Sequence, residues 1–121
     1  MILDAVDAHT EGVLDQLLVG GVLIPNVGAV RGYMRQYPDI AAPLPRVCAA
    51  TRNYVGPDAQ LSLDVYRDPE VDDSYLTLYA RQQQYDEHIV DGLETVAAAF
   101  DGEFSKTSGW LLITTDFAPP Q

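Results

Sequence analysis

Apolar residues along this chain keep two different spacings, and the change falls near residue 60. From residue 4 to 19, Val6, Val13, Leu14, Leu17 and Leu18 recur at helical intervals, and Gly20-Gly21 supplies a stop. That pattern predicts a helix over 4–19. Residues 21–37 fit no single element. Val22-Leu23-Ile24 suits a short strand, but Pro25, Gly28 and Gly32 interrupt it, and 32–37 suits one helical turn before Pro38. Pro45 then stands where a first helical turn tolerates proline. Val47, Cys48, Thr51 and Val55 share a face behind it, and Gly56-Pro57 closes a predicted helix over 45–55.

Beyond residue 60 the period drops to two. Leu61, Leu63 and Val65 alternate with Ser62, Asp64 and Tyr66, the mark of a half-buried strand. An acidic loop, Asp68-Pro69-Glu70-Val71-Asp72-Asp73, separates it from a second alternating run, Tyr75 to Ala80. Helical spacing returns with Ile89, Leu93, Val96, Ala97 and Phe100, predicting a helix over about 85–101 closed by Gly102. Last comes Trp110-Leu111-Leu112-Ile113-Thr114-Thr115, a short apolar run that reads as a strand buried on both faces.

The expected fold is therefore α+β and two-layered, with N-terminal helices followed by a β-β-α-β unit. The first two strands form an antiparallel hairpin. A right-handed crossover through the 85–101 helix returns the third strand parallel to the second. Setting the third beside the first makes every pairing antiparallel, in the order 3-1-2. Leu61, Leu63, Val65, Leu76 and Leu78 then face the helix. In that arrangement the second strand is an edge weakly guarded by Tyr75, Leu76 and Tyr79, which favours a homodimer. No repeat or linker appears. The expectation is one domain over 1–121, a helical region at 1–40 packed on a 45–117 unit.

Composition adds to this picture mainly through charge. The 121 residues are 47% hydrophobic and 21% charged, a globular balance, and the net charge is −11. Residues 1–60 carry four basic against six acidic side chains, and residues 61–121 carry three against twelve. Such a field repels phosphate backbones and anionic lipid and favours a basic protein partner, so neither nucleic acid nor a membrane is expected. Cys48 is alone and cannot form an internal disulfide, which suits a reducing compartment. The first charged residues are Asp4, Asp7 and Glu11, unlike a secretory signal, and the longest apolar stretch, Leu17–Ile24, is far shorter than the about 20 residues of a membrane span. The expected location is the cytoplasm.

Motifs for chemistry are missing. The glycines match neither G-x-G-x-x-G nor G-x-x-x-x-G-K-[ST], and no serine sits in G-x-S-x-G. The acidic loop lacks the glycine and twelfth-position glutamate of a calcium loop. His88 and Asp91 are helical neighbours with no further ligand at metal spacing. Cys48, between Val47 and Ala49, reads as a packed thiol. No catalytic residue, cofactor or metal is assigned, and enzymatic activity is not established by these residues.

One constellation remains. On the second sheet face, Ser62, Asp64 and Tyr66 lie beside Tyr75, Thr77, Tyr79 and Arg81, with Trp110, Leu112 and Thr114 joining from the third strand. Asp64, Tyr66, Tyr75, Tyr79, Arg81 and Trp110 make a candidate interaction surface, because Tyr, Trp and Arg are the usual interface anchors. The competing arrangement covers this face with the N-terminal helices and pairs Asp64 with Arg81 across strands. The expected function is a non-enzymatic, acidic protein-interaction module. The alternative is a small enzyme or ligand-binding domain, its pocket between the sheet and the N-terminal helices and built from Asp64, Tyr79, Arg81 and His88.

Overall fold

Alternation builds the two long strands as expected. β1 (Gln60–Asp68) and β2 (Asp73–Arg81) form an antiparallel hairpin in unbroken register, from Gln60 opposite Arg81 to Asp68 opposite Asp73. The computed structural model describes residues 4–70 and 73–121, with side chains from Ala8 onward, so Val71 and Asp72 of the acidic loop and the predicted core position Val6 lie outside the described side chains.

The third strand, β3 (Leu111–Thr114), lies beside β2 and runs parallel to it, with Leu76 opposite Leu111 and Tyr79 opposite Thr114. The sheet is thus mixed, in the order β1-β2-β3, and the expected all-antiparallel 3-1-2 order is incorrect. The reason is on the other side of β1. Leu23 donates to the Leu61 carbonyl (2.8 Å) and accepts from the Leu63 N–H (2.8 Å), so the ambiguous Val22–Ile24 segment occupies that edge. A third strand finds a free edge only at β2. β2 is consequently central, and the argument for a dimer through its exposed edge falls with it.

Among the described residues, four α-helices accompany the sheet. α1 (Asp4–Val19) and α3 (Leu44–Val55) match their predicted spans closely. α2 (Val27–Gln36) resolves the ambiguous stretch as a full helix capped by Asn26, whose side chain accepts the Ala29 N–H at 3.0 Å. It contains Gly28 and Gly32, each costing about 1 kcal/mol relative to alanine, yet it buries Val30, Tyr33 and Met34. That burial outweighs the cost. α4 (Ile89–Phe104) begins four residues later than predicted, because Gln82 and Asp86 side chains take up the Asp86 and His88 N–H groups in a separate turn. It then runs through Gly102. Among the described residues no helix is long and apolar enough to cross a membrane.

All the core lies on one side of the sheet. Leu61, Leu63, Leu76 and Leu78 are fully buried in one cluster with Met34, Ile40, Leu44 and Val47 from the helical layer. α2 packs against β1, α4 against β3, and α3 against α4. β3 is not buried on both faces as expected. Leu111 is 6% exposed but Leu112 is 39% exposed, since only one face has a layer against it.

Candidate functional site

Register decides which side chains share the second face. Ser62 opposes Tyr79, Asp64 opposes Thr77, and Tyr66 opposes Tyr75, while Leu112 and Thr114 stand beside Thr77 and Tyr79. Because successive strand residues point to opposite sides, Ser62, Asp64, Tyr66, Tyr75, Thr77, Tyr79, Leu112 and Thr114 look away from the core. None of them belongs to the hydrophobic cluster. The N-terminal helices pack on the opposite, leucine-bearing side, so the competing arrangement in which they cover this face is not the one adopted.

The result is a ring-lined surface. Tyr66 (43% exposed) and Tyr75 form a cross-strand pair with ring centroids 5.2 Å apart. Partial burial pushes the Tyr75 hydroxyl above its usual value, and the neighbouring Tyr66 and Tyr79 act in the same direction. Thr77, on the next rung between Asp64 and Leu112, is 2% exposed, with a hydroxyl oxygen that has no hydrogen-bond partner among the described residues. The Asp64 carboxylate accepts the Val65 N–H at 2.9 Å.

Trp110, 49% exposed, is held in place from the core side. The Tyr33 hydroxyl accepts the Trp110 N–H at 2.9 Å and donates to its carbonyl at 3.4 Å. Burial pushes the Tyr33 hydroxyl up, with the Trp110 contact opposing. The preceding residue, Gly109, is closely packed, since a Cβ there would stand 3.0 Å from Ile40 and 3.1 Å from the Tyr33 ring. A tyrosine clamp and a glycine thus set the point where β3 starts and where Trp110 projects.

Arg81 takes a different role from the one expected. It lies at the last rung of the hairpin, far along the strand from Asp64, so these two are not a cross-strand pair. Its guanidinium instead forks onto Asp116 (2.9 and 3.1 Å) and lies 5.0 Å from the Tyr79 ring centroid. The arginine holds the Asp116 carboxyl below its usual range. Tyr85 donates to the Ala118 carbonyl at 2.5 Å, and Gln60 exchanges two hydrogen bonds with Gln121. Together they strap residues 115–121 over the Gln60–Arg81 end of the sheet. Phe117 packs on Tyr85 at 5.2 Å with a left-handed φ of 56°.

A groove of about 540 Å³ continues this surface around the edge of β3. Trp110, Leu112 and Phe117 form one wall and Val90, Ala97 and Ala98 of α4 the other, with Glu94 and Asp101 at its rim. Neither the groove nor the strap was expected from the sequence. Ala97, placed in the apolar stripe of this helix from the sequence, is exposed, and with Val90 and Ala98 it lies at helical spacing beside that stripe.

The residues suggested for a pocket do not converge. Asp64 and Tyr79 face away from the helices, Arg81 is engaged with Asp116, and His88 stands exposed at the start of α4 beside Glu87 and Asp91. Between α1 and α3 a cleft of about 310 Å³ is lined by Leu17, Val22, Cys48 and Leu61, with Arg52 as the one charged side chain among the described residues. Burial pushes the Cys48 thiol up to about 12, the environment of an inert sulfur. Among the described residues no three His, Cys, Asp or Glu side chains gather as metal ligands. The open face offers rings, hydroxyls and the Asp64 carboxylate, the residue types enriched where proteins meet. The chain matches no family model, and searches of curated proteins and of solved structures find none similar to it.

Proposed function

We propose that this chain is a non-enzymatic, acidic protein-interaction module that holds a basic partner on the open face of its sheet. The observation that supports the reading most is the sheet's asymmetry. One face carries the helical layer, while the other presents Tyr66, Tyr75, Trp110 and Leu112 with no described helix over them and only its Gln60–Arg81 end strapped. Aromatic side chains bring about 150–250 Å² each to an interface and lose little conformational freedom on binding. Contiguous exposed apolar surface of this kind marks interaction sites.

Charge supplies the partner's sign. The half of the chain that builds the sheet and α4 carries three basic against twelve acidic side chains, and such an imbalance steers a cationic protein toward the surface. The unpaired Cys48 suits the reducing cytoplasm as the setting. Recovery of the tagged protein from its native cells at low and at high salt tests the reading. A basic protein retained in fixed ratio at low salt and released at high salt is the expected result. Recovery of the chain alone under both conditions would overturn it.

A further inference from the structure

The proposed partner has a shape as well as a charge, and the edge of β3 carries that information. In a parallel ladder the N–H and C=O of one residue point to the same neighbour. Leu76 donates to the Trp110 carbonyl at 3.0 Å, which fixes the phase. Leu112 and Thr114 therefore turn their backbone groups toward β2, and Leu111 and Ile113 aim theirs outward. No described segment pairs with these outward groups. The edge lacks the usual guards too, since Leu111–Thr114 holds no proline, lysine or other charge.

Beside this edge runs the apolar groove against α4, and the helix that walls it is acidic. α4 contains Asp91, Glu94, Asp101 and Glu103 and no Lys or Arg. Glu94 and Asp101 are exposed at the rim, and among the described residues no basic side chain lines the groove. Glu103 is already engaged with Arg46 of α3. Free backbone hydrogen-bonding groups, an apolar floor and an anionic rim therefore lie side by side.

Resting on the interaction reading above, we infer that the partner docks an extended segment, apolar residues interleaved with Lys or Arg, as an added strand on β3. Main-chain bonds to Leu111 and Ile113 hold it, and its apolar side chains, alternating to the opposite side, extend the open face beside Trp110 and Leu112. The long stems of Lys or Arg run along the floor while their heads reach Glu94 and Asp101. A second copy of this chain is the poorer occupant. It would bring another acidic α4 toward the first, and its own β3 offers only four residues.

The test uses the whole chain, isotope-labelled, and three synthetic peptides. One alternates valine with lysine, one alternates valine with glutamate, and one has the valine–lysine composition in blocks. Amide hydrogen exchange is followed at Leu111 and Ile113. The alternating cationic peptide is expected to slow exchange at both amides at least tenfold, and the other two to leave them unchanged. The paired variant Glu94→Lys/Asp101→Lys, at exposed positions, is expected to weaken that binding at least tenfold. Equal binding of the glutamate peptide would overturn the inference. So would protection of the same amides by the protein's own concentration with no peptide present, which would make a second copy the occupant. Shifts confined to Tyr66 and Tyr75, with Leu111 and Ile113 unmoved, would also overturn strand addition while leaving the open face as an interaction surface. Failure of every peptide would end strand addition alone, because recovery of a basic protein from cells judges the broader reading separately.

Discussion

Leu78 and Thr77 are neighbours on the same strand, and the contrast between them is the contrast between the two faces of the sheet. Leu78 is fully buried in the hydrophobic cluster beneath the helices. Thr77 is almost as hidden, yet its side chain points to the opposite face and its hydroxyl has no partner among the described residues. One face holds the molecule together. The other carries half-exposed rings and, at its Gln60–Arg81 end, the Arg81–Asp116 strap.

If that division holds, substitutions should sort by face. Leu78→Ala removes a fully buried side chain and leaves a cavity, so it should cost about 2–5 kcal/mol, read as a lower midpoint in denaturant unfolding. Gly109→Ala tests the junction between the faces. Its new methyl group would press on Ile40 and Tyr33, which should cost about 1–3 kcal/mol and move the Trp110 fluorescence.

A smaller effect is expected at the strap. Asp116 is held below its ordinary range by Arg81, so its ion pair stabilises the fold above the ordinary aspartate value of about 3.9. That contribution is lost as the pH falls through the lowered value. Asp116→Asn should remove the acid-dependent step at a cost of less than about 1 kcal/mol, because the carboxylate is 37% exposed and screened. Amide signals of 117–121, followed by NMR through an acid titration, report the release. The smallest change should come from Thr77→Val. Replacing a buried, unpartnered hydroxyl by a methyl group should leave stability within about 0.5 kcal/mol or raise it, in the same unfolding assay. A loss as large as that of Leu78→Ala would erase the distinction between the faces.

Much of this was legible in the sequence, and the rest was not for definite reasons. Period-two alternation in β1 and β2 sets which residues share a face, so Asp64, Tyr66, Tyr75 and Tyr79 could be grouped before any coordinates. Strand order could not be read the same way. It depends on Leu23 reaching Leu61 and Leu63 from forty residues away, through a segment whose Pro25 and glycines suggested a loop. α2 was obscured because Gly28 and Gly32 lower helix propensity, while the burial of Val30 and Met34 that compensates is a tertiary effect. Arg81 was assigned to Asp64 because nothing in the sequence says that the C-terminal segment folds back to place Asp116 beside it. The open face was identified as a set of residues, and that it is uncovered depended on where the helices pack.

The most direct test compares two baits recovered in parallel from native cells, the wild-type chain and a Tyr66→Ser/Tyr75→Ser variant of equal unfolding midpoint. The account predicts a basic protein in fixed ratio with the wild type and its loss from the variant. The same proteins in the same amounts on both baits would contradict it, and the rings of the open face would then have no part in what this chain binds.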